Sequence, residues 1–434
     1  MEREVIGWIA IGALFVLLVL RVPVAVALMS IGFVGYWAVA GLDPALRILG
    51  VIPYSKVATY SFTVVPLFII MGHFAYHAGF AADMFRTAQR WVGSLPGGLV
   101  QATIVGATGF GAASGSGLAS CAIISKLAVP GMVQQGVQRP LAFGAVAAAG
   151  TIAQMIPPSI LMVIYGIIAE QSIGRLLIAG IVPGVVAGLV YMAMVYVRVK
   201  RNPSLAPALP SVGWAERFGA LRGVWGIALL AVIVMGGLYS GVFTPTEAGA
   251  IGAFGAFGAA VILRRLGWTE LWASLLDTSR TTATVFFIVA GAFVFGYFLG
   301  ITRIPTHVSS LITSLAAPPL VILLAVMVFY IVLGTFMDMI AAMFLTLPII
   351  LPAMDALGFN LVWFGVLMVH LCEMALITPP FGLNLFIMKS VIPEAEMKEV
   401  IQGVGPFVVA DLVTLALYIA FPQLALFLPE RMLG

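Results

Sequence analysis

Apolar runs long enough to cross a bilayer recur along this chain, near residues 5–20, 22–40, 62–79, 140–169, 175–198, 223–241, 246–263, 281–300, 360–390 and 404–427. Few folds can follow from such a pattern. The runs are continuous and do not alternate, which excludes a transmembrane β-barrel. Of the 434 residues, 62% are hydrophobic and 9% charged. Soluble domains carry roughly 25% charged residues, so water cannot be the solvent for most of this surface. The mean hydropathy of +1.14 agrees. A soluble enzyme, a nucleic-acid-binding module and a disordered scaffold are excluded. The expected fold class is an all-α polytopic membrane protein. The first run, Val5 to Leu20, lacks a basic leader and reads as a retained helix rather than a signal peptide. Cys121 and Cys372 both lie in apolar surroundings and form no disulfide framework.

The net charge of +4 reports orientation. The long polar segment Arg198–Arg222 holds Arg198, Lys200, Arg201, Arg217 and Arg222. Arg264, Arg265 and Arg280 follow two spans later, and the connector Ser240–Gly249 has neither Lys nor Arg. The basic loops therefore belong in the cytoplasm. Three charged stretches, Ala82–Val92, Thr269–Arg280 and Pro393–Gln402, read as helices lying in the interface.

Two further apolar regions, about 97–130 and 318–352, are interrupted in the middle and fit hairpins that enter and leave on one side. They belong to an internal repeat at an offset of about 220 residues. Phe68-Ile69-x-x-Gly72-x-Phe74 echoes Phe287-Ile288-x-x-Gly291-x-Phe293, Ser114 stands opposite Asp338, and Ile156-Pro157-Pro158 echoes Thr378-Pro379-Pro380. The polar loop and the span at 223–241 lie between the halves and can invert the second. Inverted repeats with broken helices point to a secondary transporter with a midplane site. The expected division is N-terminal scaffold helices at 1–60, then a first repeat at 61–200 with a hairpin at 97–130 and a broken helix at 140–169. A cytoplasmic loop at 201–222 and linking and scaffold helices at 223–280 lead to the second repeat, 281–427, with a hairpin at 318–352 and a broken helix at 360–390.

The breaks carry the candidate chemistry. Gly109-Phe-Gly-Ala-Ala-Ser114-Gly-Ser116-Gly117 sets four glycines and two serines inside an apolar region. Irregular backbone survives at that depth only where it is buried in protein or lines a cavity. A Gly/Ser packing face is the competing reading. In Ile156-Pro157-Pro158-Ser159 the prolines remove two donors and drive the preceding residue from the helical region. One half-helix is expected to end near Ile156 and a second to begin near Pro157 or Pro158. The first offers free carbonyls to a cation, the second free N–H groups to an anion. A simple proline kink is the alternative. Asp338, in the second hairpin break, requires a cation, a donor network or a proton, or else caps a half-helix. Arg303 either snorkels at the interface or grips a carboxylate. Glu247 reads as a helix cap, and Glu373 as a structural partner or a proton or ion group. His73 and His77 share a helical face without a third ligand near in sequence. A channel needs a continuous polar pore, whereas these polar groups sit at discrete breaks. No Walker A, HExxH or GxSxG pattern occurs, so the chain is not expected to be an enzyme.

At these residues the sequence resembles the large membrane subunit (DctM-like) of tripartite ATP-independent periplasmic (TRAP) transporters. The runs carrying the resemblance include Phe110–Ser116, Ile156–Ile160, Gly241–Ala248, Ile377–Phe386, Pro66–Gly72 and Leu95–Gly98. The resemblance implies sodium-coupled uptake of an organic acid, such as a dicarboxylate, across the bacterial inner membrane by a multi-pass protein. A periplasmic substrate-binding protein would deliver the substrate, and a small four-helix membrane subunit would pack beside this chain among the lipids. A transport domain holding both hairpins and both Pro-Pro helices would move as an elevator. The family's Na+ sites map onto Ser114 with Ala153, Ile156 and Pro158, and onto Gly334 and Asp338 with Ala375, Thr378 and Pro380. Ser116, Arg303 and Asn384 fall at positions implied to face the substrate. Family members often have Gly where this chain has Ala153 and Ala375. Ala serves there if only the carbonyls are used, and would be strained at positive φ.

Overall fold

The computed structural model describes residues 3–432 except Ala316, Phe336, Asp338 and Phe381, and gives no side-chain description for Ala112 and Ala113. The described residues form helices joined by short turns, with no strand among them. The chain is an all-α membrane protein. Six described helices are long and apolar enough to span a bilayer, from Gly117–Gln134 to Met397–Ala420, and shorter apolar ones include Val24–Ala40, Pro319–Gly334 and Leu361–Ile377. Large apolar side chains such as Val232, Phe254, Val328 and Val409 stand exposed, as they can where lipid is the solvent.

The chain folds into two compact units. One comprises Met1–Thr63, Ile164–Gln171 and Ser279–Leu361; the other comprises Val64–Val163, Ser172–Thr278 and Val362–Gly434. In the first, Val24–Ala40 lies close on the backbone at Phe295: a Cβ on Gly32 would stand 2.7 Å from the Phe295 nitrogen. The second hairpin belongs here. Its arms, Pro319–Gly334 and Met339–Ala356, are tied by a 2.6 Å hydrogen bond between the Tyr330 and Thr346 hydroxyls.

The second unit is built around Arg139–Ile152, in which every residue from Leu141 onward is buried. A helix apolar all round belongs in the middle of a bundle. It packs against Gly117–Gln134 and crosses Met397–Ala420. At that crossing the backbones touch: a Cβ on Gly403 would lie 2.9 Å from the Gly144 nitrogen and would also run into the Pro140 carbonyl. Gly403→Ala must push the helices apart, an overpacking cost of about 1–3 kcal/mol. The detergent-purified variant should melt measurably lower than wild type. Gly405→Ala, where a Cβ meets nothing within 4 Å, should not. Equal melting of the two variants would refute the close crossing.

The basic segment after Arg201 is strapped onto the amphipathic helix Phe80–Val92. Thr87 Oγ1 donates to the Ala220 carbonyl at 3.0 Å, Trp91 Nε1 to that of Arg217 at 3.1 Å, and Arg90 pairs with Glu216 at 2.6 Å. In the connector Ser240–Gly249, Thr244 and Glu247 form the capping box that opens Pro245–Ile262, so Glu247 is a cap as expected.

Four expectations about the elements need correction. Thr269–Arg280 is not a separate interfacial helix; it runs unbroken into the following span as Trp268–Thr302. Pro393–Gln402 is likewise not one surface helix, because Met397–Ala420 begins inside it from the Glu396 cap. Leu42–Val57 is a helix that the apolar pattern passed over, since Asp43, Arg47, Pro53 and Lys56 interrupt it. The first half-helix ends at Ile152 rather than near Ile156, and the second begins at Ile160 rather than at a proline. There Ser159 supplies the cap, its Oγ accepting from the Met162 N–H at 3.2 Å.

Candidate functional site

The first hairpin turns at the Gly/Ser break. Gly98–Ser114 ends with Gly115 in the left-handed region, φ +61 and ψ 2, a conformation in which a Cβ crowds the following carbonyl. Ser116 is extended and caps Gly117–Gln134, its Oγ accepting from the Ala119 N–H at 3.4 Å. The reversal brings Ser120 back to Ser114, with the two hydroxyl oxygens 2.8 Å apart and buried.

This break is seated on the Pro-Pro loop, residues 153–159, of the same unit. A Cβ on Gly111 would stand 2.5 Å from the Ala153 Cα, and one on Gly117 2.9 Å from the Gln154 side-chain amide. A Cβ on Gly115 would strike the Pro158 carbonyl oxygen. From the other side, Gly72 leaves room for the Ser114 carbonyl, which explains a glycine of the repeated motif. The loop folds back on itself through Gln154 N–H to the Thr151 carbonyl, 2.8 Å, and Met155 N–H to that of Ile152, 3.0 Å. The carbonyls of residues 153–158 accept no hydrogen bond among the described residues. The buried Gln154 Oε1 also lacks a partner. Ala153 has φ −58, so Ala is unstrained where glycine is common and its carbonyl remains available.

The glycines on either side of Ser114 thus rest against Ala153 and Pro158, with Ile156 half-buried in the same loop. Hydroxyl and carbonyl oxygens near the C-terminal end of a half-helix are the groups that suit a hard cation. Two residues that were not predicted also lie here, Ser120 against Ser114 and Gln154 beside Gly117. Six residues of separation conceal the Ser114–Ser120 pairing until the chain reverses.

The second predicted set is divided between units. Gly334 ends Pro319–Gly334 in the first, half-buried. Ala375, Thr378 and Pro380 lie in the second. Ala375 is buried within Leu361–Ile377, Thr378 Oγ1 donates to the Met374 carbonyl at 2.6 Å, and Pro380 is exposed. Asp338 lies outside the described residues. Both Pro-Pro bonds, Pro157–Pro158 and Pro379–Pro380, are cis.

Of the residues expected to face substrate, Ser116 is half-buried at the hairpin tip. Arg303 is exposed at the joint between Trp268–Thr302 and Ile304–Ser314, in the left-handed region at φ 57. Asn384 is fully buried, its amide donating to the Ala147 carbonyl at 2.8 Å while Oδ1 has no partner.

A Gly/Ser-broken hairpin seated on a proline-broken helix, inside a bundle with lipid-facing side chains, defines a membrane transporter fold. The solved Alcanivorax borkumensis YdaH transporter shares it, with a TM-score of 0.59 and 14% identity over 88% of this chain and 90% of that one. The family model described as "Tripartite ATP-independent periplasmic transporter, DctM component" matches residues 11–424. The chain is 36% identical to the C4-dicarboxylate TRAP transporter large permease protein DctM of Pseudomonas aeruginosa, over 92% of this chain and 94% of that relative. It is 32% identical to the sialic acid TRAP transporter large permease protein SiaM of Vibrio cholerae, over 86% and 87%. The chain therefore belongs to the DctM family of TRAP transporter large permeases, multi-pass proteins of the inner membrane and not enzymes.

Proposed function

We propose that this chain couples the inward movement of sodium to uptake of an organic acid. Two relatives are named for a C4-dicarboxylate and for sialic acid, which favours a carboxylate as substrate. The observation carrying the sodium reading is the seating of the Gly/Ser break on the Pro-Pro loop. There the buried Ser114 and Ser120 hydroxyls sit in a break packed on a loop whose carbonyls and Gln154 amide oxygen lack hydrogen-bond partners among the described residues. Sodium takes oxygen ligands and can use half-helix carbonyls. A second ion would use Gly334, Asp338, Ala375, Thr378 and Pro380, and the carboxylate would meet Ser116, Arg303 and Asn384. A periplasmic binding protein supplies the substrate, a small four-helix subunit stands beside the chain, and the hairpins and Pro-Pro helices travel together as an elevator.

Sodium alone can test the ion reading. A ligand bound only by the folded protein, at a hundred times its Kd, stabilises it by about 2.7 kcal/mol. Purified permease should melt at higher temperature in sodium chloride than in choline chloride, and Asp338→Ala should lose much of that gain. In proteoliposomes, the acid captured by the cognate binding protein should show sodium-dependent counterflow. Melting indifferent to sodium together with sodium-independent counterflow would overturn the coupling, and flux without counterflow would mean a channel.

A further inference from the structure

Away from the hairpin break, the second unit buries a set of ionisable groups that the transport reading does not use. Asp411 lies in the middle of Met397–Ala420 and is 1% exposed. Its Oδ1 accepts a 2.6 Å hydrogen bond from the hydroxyl of Tyr191, itself fully buried in Ile181–Arg201. His370 Nε2, from Leu361–Ile377, is 3.1 Å from the Asp411 backbone carbonyl and 3.9 Å from Oδ1. Asp411 Oδ2 and His370 Nδ1 are buried with no hydrogen-bond partner.

The surroundings offer no fixed counter-charge. Glu373 faces His370 at 3.5 Å from the same helix, and the Tyr418 ring stands edge-on to the imidazole, its hydroxyl donating to the Pro183 carbonyl. Cys372, beside Glu373, is buried as well. Arg139–Ile152 and Leu383–Val391 also pack on the helix of Asp411. Their only charged residues are Arg139, paired with Glu399, and Lys389, exposed and donating to the Pro393 carbonyl. Arg198, Lys200 and Arg201 stand in the last turn of the helix that carries Tyr191, far along it from that residue. Among the described residues neither Asp411 nor Glu373 pairs with a lysine or arginine.

A backbone carbonyl only accepts, so the Asp411 carbonyl fixes a proton on His370 Nε2. An ionised Asp411 is then balanced only if the imidazole takes a second proton. The alternative is a protonated Asp411 beside a neutral imidazole. In both states one proton is held by the pair, and its departure leaves an uncompensated charge inside the membrane.

We propose that Asp411, His370 and Tyr191 form a proton-binding site in the membrane interior, distinct from the sodium sites, and that its proton is exchanged during each transport cycle. The exchange in each cycle rests on the transport reading; the proton site does not.

Two measurements separate these. Infrared difference spectra of the purified wild-type protein, taken across a pH series in H2O and D2O, should show a protonated carboxyl that titrates. Tyr191→Phe should displace the midpoint, since a donor to one oxygen favours the charged form. A spectrum without a titrating carboxyl, or with a midpoint indifferent to Tyr191→Phe, would overturn the site. In proteoliposomes at constant sodium, wild-type counterflow should change by about tenfold per pH unit on one limb of its profile, as a single proton requires. Asp411→Asn should flatten that profile while sodium dependence remains. A purely structural aspartate would leave the wild-type profile flat, which overturns the exchange of the proton in the cycle. If Asp411→Asn does not fold, the wild-type and Tyr191→Phe profiles carry the decision: coincident midpoints refute the assignment. Should no acid be exchanged by any protein, the transport reading fails, and the infrared titration alone decides the proton site.

Discussion

Gly115→Ala is expected to weaken the response to sodium by at least thirtyfold. Gly115 turns the first hairpin in the left-handed region, φ +61. An L-residue held there costs roughly 1–2 kcal/mol. Its Cβ would also meet the Pro158 carbonyl oxygen, a backbone atom that cannot swing aside, and forced overpacking costs a further ~1–3 kcal/mol. The smaller ends of the two ranges total about 2 kcal/mol, which is a factor of about thirty in the population with the break correctly seated. Because the clash falls where the break beside Ser114 rests on Pro158, it should appear first as a lost rise in melting temperature with sodium. Gly131→Ala is the matched control, in the helix after the break, where a Cβ meets nothing within 4 Å. If Gly115→Ala responds to sodium as wild type does, the seated break is not the ion site.

The breaks were legible because they are local. Glycine, serine and consecutive prolines inside apolar runs announce irregular backbone wherever the chain later goes. Their partners were not legible. Ser120 reads as one more small helix residue until the turn at Gly115 lays it against Ser114, and Gln154 gains its meaning only from the approach of Gly117. The length of the Pro-Pro break is hidden for a related reason: the prolines explain why the helix stops, but the cap at Ser159 decides where the next one starts. Trp268–Thr302 stays continuous although its first half carries Glu270, Asp277 and Arg280, because charges at helical spacing need not interrupt a helix. Asp411 carries a signal of its own in the sequence. A carboxylate inside a run as apolar as 404–427 is costly, and only the fold shows Tyr191 and His370 beside it.

Arg303→Lys is expected to retain folding and the sodium response and to lose most transport. A carboxylate leaving water needs more than the partial charge of helix N-termini, which contribute ~0.3–2 kcal/mol each. Arg303 is exposed, and among the described residues its guanidinium makes no ion pair, so it is available to a ligand. Its planar fork matches a carboxylate with two parallel hydrogen bonds, a geometry that an ammonium does not reproduce. Losing that bidentate geometry should lower transport by Arg303→Lys, and Arg303→Gly, which strands the carboxylate altogether at a cost of about 2–5 kcal/mol, should lower it at least thirtyfold. The backbone supplies an internal control. Arg303 sits at φ 57, where glycine is the cheaper residue by about 1 kcal/mol. Arg303→Gly should therefore be at least as stable as wild type and still fail to transport, which separates the guanidinium from any structural duty at this joint. The measurement is counterflow in proteoliposomes with melting temperature recorded on the same preparations. Near-normal transport by Arg303→Lys would make Arg303 an interfacial side chain and leave the substrate to Ser116, Asn384 and the helix dipoles.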